Sequence, residues 1–178
     1  MTTPRIAPGG VREIGPVNAG LAWTAGLVAG HRKPLHLFST LARHRRLFRP
    51  WLRFAARLMP FGTLPRADAE LVILRVAVNC GSDYEWFQHA PLSRKAGLSP
   101  ADQERVRQGT AAPGWTARQA ALLRAADELH AERRIGDETW TALAGELSSP
   151  QLIELCMLVG HYEMLAMTLN SLRVQPER

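Results

Sequence analysis

Residues 70–89 read ELVILRVAVNCGSDYEWFQH and decide the fold of this 178-residue chain. From Leu71 to Val78 only Arg75 is polar, so the segment must be covered on nearly all sides. Periodicity alone does not distinguish a buried helix from a buried strand, and the valines favour a strand. Gly81 suits the position just after a helix. The stretch therefore predicts a buried helix followed at once by a second helix.

The second helix is expected to begin with a capping box, Ser82-Asp83-Tyr84-Glu85, in which the serine and the glutamate each bond to the other's backbone. Glu85 and His89 are four residues apart and would share one face of that helix. A carboxylate beside an imidazole makes an acid–base pair that burial can tune. Two interpretations stay open: a catalytic pair, or a helix cap and a core histidine.

Three strings in and around this stretch carry a resemblance: residues 65–71 (PRADAEL), residues 80–89 (CGSDYEWFQH) and residues 96–99 (AGLS). On these strings the sequence resembles the carboxymuconolactone decarboxylase family, which belongs with the alkylhydroperoxidase D-like proteins. The resemblance covers roughly residues 35–172. It implies an all-α, single-domain helical bundle whose subunits pack together through helices.

The resemblance also implies a site. In the peroxidase branch, a glutamate is followed by a Cys-x-x-Cys-x-x-x-His motif; the glutamate matches Glu70, the two cysteines fall on Ser82 and Glu85, and the histidine on His89. Both thiols are therefore missing. The decarboxylase branch reads Glu-x-x-x-His, which Glu85 and His89 reproduce. Glu70, Glu85 and His89 are thus the expected catalytic residues, although Glu70 could instead be a first-turn carboxylate favoured by the helix dipole.

Five further residues are candidates for substrate binding. Tyr84 and Trp86 would wall a pocket for a flat ring, unless they belong to the core. Ser82 and Cys80 precede them in the chain. The alternative for Cys80 is a free, buried thiol with no role in the site. Arg53 would hold a carboxylate. Glu70, Glu85 and His89 offer possible metal ligands, but no Cys or His cluster of recognised spacing completes a site, so neither a metal nor a cofactor is expected.

The net charge of +6 is concentrated in one part of the chain, because residues 14–67 contain no acidic residue. Arg49, Arg53 and Arg57 are spaced by four and would form one stripe on a helix. Such a stripe can bind phosphate, attract an acidic substrate, pair with an acidic surface of a second subunit, or be a solvated face. Nucleic-acid binding is not expected, because no recognised motif accompanies the arginines.

The remaining chain is predicted to be helical. Pro50 is expected in the first turn of a helix that begins near Phe48. Residues 116–119 (TARQ) form another capping box, and an apolar helix is predicted over residues 149–172. Within that last helix, residues 161–163 (HYE) echo the YE of the central motif, as a decayed internal repeat would.

Length and termini complete the expectations. Residues 1–178 are predicted to form one domain with a partly irregular N-terminal extension over residues 1–33. Apolar runs fall short of the roughly 18 residues of a membrane helix, and the start lacks a signal-like apolar core. A cytoplasmic protein without a membrane partner is expected. The two cysteines give no disulfide framework.

Together these features predict a cofactor-independent lyase or isomerase acting on a small carboxylated or enolisable molecule. Protonated His89 would deliver a proton to the enolate, while Glu85 and Glu70 set its tautomer and charge. The protein is expected to be a homo-oligomer, as a dimer, trimer or hexamer. Two alternatives remain: a thiol-dependent peroxidase or redox protein using Cys80, and a non-catalytic small-molecule-binding protein.

Overall fold

The computed structural model describes residues 3–177, which contain ten helices and no strand, so the predicted all-α fold is confirmed. The helices are α1 (Val11–Ile14), α2 (Pro16–Val28), α3 (His36–Leu41), α4 (Arg45–Leu58), α5 (Arg66–Asn79), α6 (Asp83–Lys95), α7 (Pro100–Gln108), α8 (Ala117–Glu132), α9 (Asp137–Ala144) and α10 (Ser149–Leu172).

The chain divides into two compact units. One combines the residues up to Arg57 with those from Thr168 onward, and the other is Leu58–Met167. The first unit has its own apolar cluster, in which Ile14, Ala22, Ala42 and Phe48 are buried. The N-terminal stretch that was expected to be partly irregular carries both α1 and α2.

The prediction for α4 was wrong at its start. The helix begins at Arg45, so Pro50 lies inside it rather than in the first turn. The reason is local: the His44 carbonyl accepts hydrogen bonds from the backbone of Leu47 and Phe48, which begins the helix earlier. The arginine stripe of α4, at positions 49, 53 and 57, is exposed, as expected for a solvated face.

In the second unit, α5 is the central helix and packs against α6, α7 and α8. Its apolar side chains join a buried cluster that comprises Leu71, Leu74, Leu98, Val106 and Leu123. Arg75, the polar residue of the buried run, is satisfied because its guanidinium donates two hydrogen bonds to Asp127, at 2.6 and 3.1 Å. A polar residue in this run therefore does not break the helix.

The break between α5 and α6 forms as predicted. Gly81 has a φ of +56°, a left-handed conformation that favours glycine. The Ser82 amide donates to the Ala77 carbonyl at 2.8 Å, and the Gly81 amide donates to the Val78 carbonyl at 3.1 Å. This is a Schellman ending, which satisfies the last carbonyls of α5 and starts α6 at once.

The loop that enters α5 is held by Glu154 of α10. Its carboxylate accepts hydrogen bonds from the Thr63 amide at 2.6 Å, the Thr63 hydroxyl at 2.6 Å and the Leu64 amide at 3.0 Å. Gly62 makes this approach possible, because a Cβ atom there would overlap the Glu154 carboxylate and the Leu58 carbonyl. The start of α5 is thereby tied to α10.

Helix α10 is long and apolar enough to cross a membrane by length and composition, yet half of its most apolar 18-residue window is buried inside the protein. A core helix of a soluble domain passes the same test. The other side of α10 exposes apolar side chains at Ile153 (66%), Met157 (47%), Met164 (42%) and Met167 (62%).

Candidate functional site

Glu70 lies at the centre of the site, on α5, with 0% of its surface exposed. Its Oε2 is 2.8 Å from Nδ1 of His89 on α6, and its Oε1 is 2.8 Å from a guanidinium nitrogen of Arg66. The first-turn interpretation of Glu70 therefore gives way to a buried carboxylate held between two basic groups. His89 was expected beside Glu85 on one helix face, and the resemblance also implied that Glu70 lies near the imidazole; the hydrogen bond is with Glu70.

The Glu70 contact sets the state of the imidazole. In this contact Oε2 of Glu70 accepts a hydrogen bond that Nδ1 of His89 donates, while Arg66 lies on the other oxygen of the carboxyl group. Nε2 is then the nitrogen that can exchange a proton with a substrate. The His89 side chain is 13% exposed, whereas the Glu70 side chain is fully enclosed.

Glu85 has a different environment. It is 2% exposed, and the expected capping box is absent, because Ser82 stands at the N-cap without a side-chain cap bond. Within residues 3–177, neither Glu85 carboxyl oxygen has a partner with hydrogen-bond geometry. Burial raises the pKa of Glu85 from 4.5 to about 8, and the nearby Ser82 hydroxyl opposes the rise only in part. Glu85 is therefore a protonated, buried acid at neutral pH.

Tyr162 of α10 contacts His89 and lies within the electrostatic influence of Glu70 and Glu85. Its ring lies edge-on to the His89 ring, with centroids 5.1 Å apart. Burial raises the pKa of Tyr162 well above its usual value, and the charges of Glu70 and Glu85 raise it further. The His161 ring is also edge-on to the Tyr162 ring, with centroids 5.3 Å apart. Burial lowers the pKa of His161 to about 4, which keeps it neutral. We call Glu70, Glu85, His89 and Tyr162 the acid–base cluster.

The part of the chain that contains three of these four residues matches a known protein family. The sequence profile described as the carboxymuconolactone decarboxylase family matches residues 45–128, which include Glu70, Glu85 and His89. The predicted resemblance to this family and to the alkylhydroperoxidase D-like proteins is therefore confirmed over that stretch. The expected fold type is therefore confirmed. No functionally curated protein matches the sequence.

Several solved structures share the fold of this chain. An uncharacterised peroxidase-related protein from Silicibacter sp. TM1040 is similar with a TM-score of 0.82 at 16% identity, covering 99% of this chain and 95% of that one. An alkylhydroperoxidase AhpD core protein from Ralstonia eutropha JMP134 gives 0.81 at 18% identity, covering 99% and 94%. The debrominase Bmp8 gives 0.80 at 13% identity, covering 97% and 91%. At these identities the likeness establishes the fold alone.

The residues expected to bind substrate are not gathered in one place. Ser82 and Tyr84 are buried beside Glu85 at the start of α6. Trp86 is partly buried and packs on the apolar cluster of the second unit, and the Arg107 guanidinium lies 3.7 Å from its ring centroid. Arg53 belongs to the first unit, where it is exposed on α4.

Cys80 lies in a second polar group. Its Sγ is 3.9 Å from Nδ1 of His130, and the same nitrogen is 2.7 Å from Oε1 of Glu163. The pKa of the Cys80 thiol is raised to about 11, chiefly by burial and also by the charges of Glu163 and Glu85, with Arg133 opposing them. The thiol is therefore protonated at neutral pH, unlike a peroxidase thiol at a helix start.

Sequence reasoning missed four residues near these groups. Tyr162 and Glu163 belong to the HYE string that echoes the central YE, so that echo was the available signal. Arg66 precedes Glu70 by four residues on α5, a spacing that predicts an ion pair on a helix. His130 gave no comparable signal, because its partners are distant in the chain.

Proposed function

We propose that this protein is a cofactor-independent lyase or isomerase that uses general acid–base chemistry on a small carboxylated or enolisable molecule. The observation that carries the proposal is Glu85, a buried carboxyl group with a pKa of about 8, whose oxygens make no hydrogen bond of good geometry with the described residues, although the Ser82 hydroxyl is close enough to lower that pKa in part. A general acid or base works best when its pKa lies near the operating pH. A solvated glutamate would be ionised there.

The neighbouring groups supply complementary roles. Nδ1 of His89 is held by Glu70, so Nε2 is oriented to donate to or accept from the substrate oxygen. Loss of carbon dioxide breaks a carbon–carbon bond and leaves the electron pair on an enolate. Glu85 then delivers its proton to the carbon. Tyr162 lies against His89 and close to both carboxyl groups, which makes it a wall of the reaction space.

Arg66 is the cation best placed to hold a substrate carboxylate. Its side chain is 39% exposed while its guanidinium contacts the buried Glu70. An arginine can keep one carboxylate partner and offer its remaining donors to a second. This role was assigned to Arg53 from sequence; Arg66 has the advantage of a direct contact with the acid–base cluster.

The test is proton exchange and carbon dioxide release in heavy water, with a panel of β-keto acids, enol lactones carrying a carboxylate, and simple ketones. We expect wild type to incorporate deuterium into at least one class, and Glu85→Gln and His89→Gln to reduce the rate about 10²-fold or more. Glu104→Gln, which changes an exposed glutamate of α7, is the matched control. Variants that keep the wild-type rate would refute the proposed roles.

The pH profile gives a second readout. If Glu85 acts as the acid, the rate falls as the pH rises through about 8, where its proton is lost. Cys80 and Tyr162, whose pKa values respond to the charge on Glu85, both remain protonated at that pH. A rate that increases through this range would instead assign Glu85 the role of base.

We further propose that the chain forms a homo-oligomer in which α10 contacts a second copy. The exposed residues Ile153, Met157, Met164 and Met167 are spaced by four, seven and three, which places them along one face of α10. Gly160 lies between them, and a Cβ atom there would meet open space. Light scattering should give a mass above that of one chain, and Met157→Glu should lower it. A monomeric wild type would exclude this proposal.

A further inference from the structure

Three side chains from three helices converge outside the acid–base cluster. Cys80 is the C-cap of α5, His130 lies in the last turn of α8, and Glu163 lies on α10. One ligand atom from each, Sγ, an imidazole nitrogen and a carboxylate oxygen, lies within 4.8 Å of the other two. All three residues are partly exposed, so the group is reachable from solvent. We call it the Cys80 cluster.

A catalytic triad does not explain this geometry. In a triad the histidine uses one nitrogen for the nucleophile and the other for the carboxylate. Here the same atom, Nδ1 of His130, lies 2.7 Å from Oε1 of Glu163 and 3.9 Å from Sγ of Cys80. A single ring nitrogen cannot relay a proton between them in that way. Three donor atoms of different elements that face a common point are instead the arrangement that a metal ion requires.

The surroundings favour a cation at that point. The carboxyl-terminal ends of α5 and α8 both lie at the cluster, and such ends carry partial negative charge. The second oxygen of Glu163, Oε2, accepts a hydrogen bond from Arg133 at 2.8 Å, which leaves Oε1 directed at His130. A contact of this kind orients a metal ligand from its outer side. The Arg133 side chain is 70% exposed, so its charge is largely screened by water.

We propose that Cys80, His130 and Glu163 bind one divalent transition-metal ion of the zinc class, with water in a fourth position. Sulfur, imidazole nitrogen and carboxylate oxygen are all ligands that zinc accepts, at about 2.0 to 2.3 Å. Tetrahedral bonds of that length place sulfur and nitrogen about 3.5 Å apart, against 3.9 Å here. The 2.7 Å between Nδ1 of His130 and Oε1 of Glu163 would have to lengthen to about 3.3 Å, so both side chains must rotate when the ion binds. The open position would allow the ion to polarise a bound ligand.

Sequence spacing did not reveal this group, and no metal was expected from it. Cys80 and His130 are 50 residues apart, and His130 and Glu163 are 33 apart. Recognisable zinc motifs place at least two ligands within a few residues of each other. Here each ligand comes from a different helix, so only the fold brings them together. The proposal is also independent of the acid–base cluster, because none of its three ligands belongs to that cluster.

The test is titration of metal-free protein with Co²⁺ alone, followed by visible absorption and calorimetry. We expect one equivalent per chain, with a sulfur-to-cobalt charge-transfer band and the intense visible bands of a tetrahedral site. Cys80→Ser should remove the charge-transfer band, and His130→Gln and Glu163→Gln should each weaken binding at least about tenfold. Cys156→Ser, which changes the other half-buried thiol, should bind as wild type does.

A wild-type measurement keeps the proposal testable if the variants fold poorly. Zn²⁺ at saturating concentration should slow alkylation of Cys80 by iodoacetamide at least about tenfold, measured by peptide mass spectrometry, and leave Cys156 unchanged. No stoichiometric Co²⁺ binding by wild type, binding that is unchanged in Cys80→Ser, or equal alkylation with and without Zn²⁺ would each overturn the proposal.

Discussion

Helices α6, α7 and α8 each begin with a capping-box pattern, and the box forms at α7 and α8 but not at α6. At α7, Ser99 and Asp102 bond to each other's backbone, and at α8 Thr116 and Gln119 do the same. At α6 the Ser82 side chain makes no cap bond. The first two boxes are on the surface, where the caps have no competing role.

This difference shows where a local sequence pattern does not predict the structure, because tertiary packing determines the position of the side chain. At α6 the glutamate of the pattern, Glu85, is buried next to Tyr162 rather than turned back to its own helix end. A buried carboxyl group without a partner is unfavourable for stability. Sites that depart from local consistency in this way are often functional ones. The capping box that does not form at Ser82 and the raised pKa of Glu85 therefore both support a functional role for Glu85.

The largest expected effect is on how the free energy of unfolding depends on pH. The pKa of Glu85 is 4.5 when unfolded and about 8 when folded, so between those values the folded protein holds the extra proton. Stability from Glu85 is thus fully present below about pH 4.5 and is lost as the pH rises through 8, an effect on the order of 5 kcal/mol. Denaturant unfolding of wild type and Glu85→Gln should diverge, with the variant more stable at alkaline pH.

The control for that experiment is Glu104→Gln on α7, whose stability curve should run parallel to wild type. Taking the difference between Glu85→Gln and wild type also cancels groups that both proteins share, such as His161. Parallel curves for Glu85→Gln and wild type between about pH 5 and 9 would show that Glu85 is not the buried acid described here.

An intermediate effect is expected at the caps themselves. Ser99→Ala and Thr116→Ala each remove a formed cap bond and should cost about 1 kcal/mol of unfolding free energy. Ser82→Ala removes a buried hydroxyl that makes no cap bond, so it should cost less than about 0.5 kcal/mol. Thermal and urea unfolding distinguish the two outcomes. A cost at Ser82 equal to that at Thr116 would restore the capping interpretation.

The smallest expected effect is in a peroxidase assay, where we expect no activity above the enzyme-free control. Two-thiol catalysis needs an attacking thiolate and a second thiol in bonding distance, and the two matching positions are Ser82 and Glu85. Peroxide consumption with a dithiol reductant should therefore equal the enzyme-free control and be unchanged by Cys80→Ser. Robust turnover that disappears in Cys80→Ser would favour the thiol-dependent alternative over the acid–base proposal.

Much of the fold could be predicted because it depends on local signals. The glycine at 81, the caps at 99 and 116 and the apolar run of α5 each act within a few residues. The start of α4 was wrong because the His44 carbonyl extends that helix beyond what Pro50 suggests. Local signals place helices well and place their first turns less well.

The site was predictable only as far as α5 and α6. Glu70, Glu85 and His89 lie in one stretch of sequence, and the resemblance to the family selected them. Helix spacing suggested Glu85 as the partner of His89, whereas the resemblance implied Glu70 nearby; which carboxylate binds the imidazole depends on how α5 packs against α6, and it is Glu70. Tyr162 comes from α10, so no spacing rule reaches it.

The Glu154 anchor also limits which sequences can share this entry to α5. Glu154 occupies the space that a side chain at position 62 would need, and three donors of residues 63 and 64 depend on its carboxylate. The two positions are therefore expected to covary among related sequences. Where 154 is small and uncharged, one of the two obstacles to a side chain at 62 is gone, but the Leu58 carbonyl, 2.5 Å from such a Cβ atom, still favours glycine there.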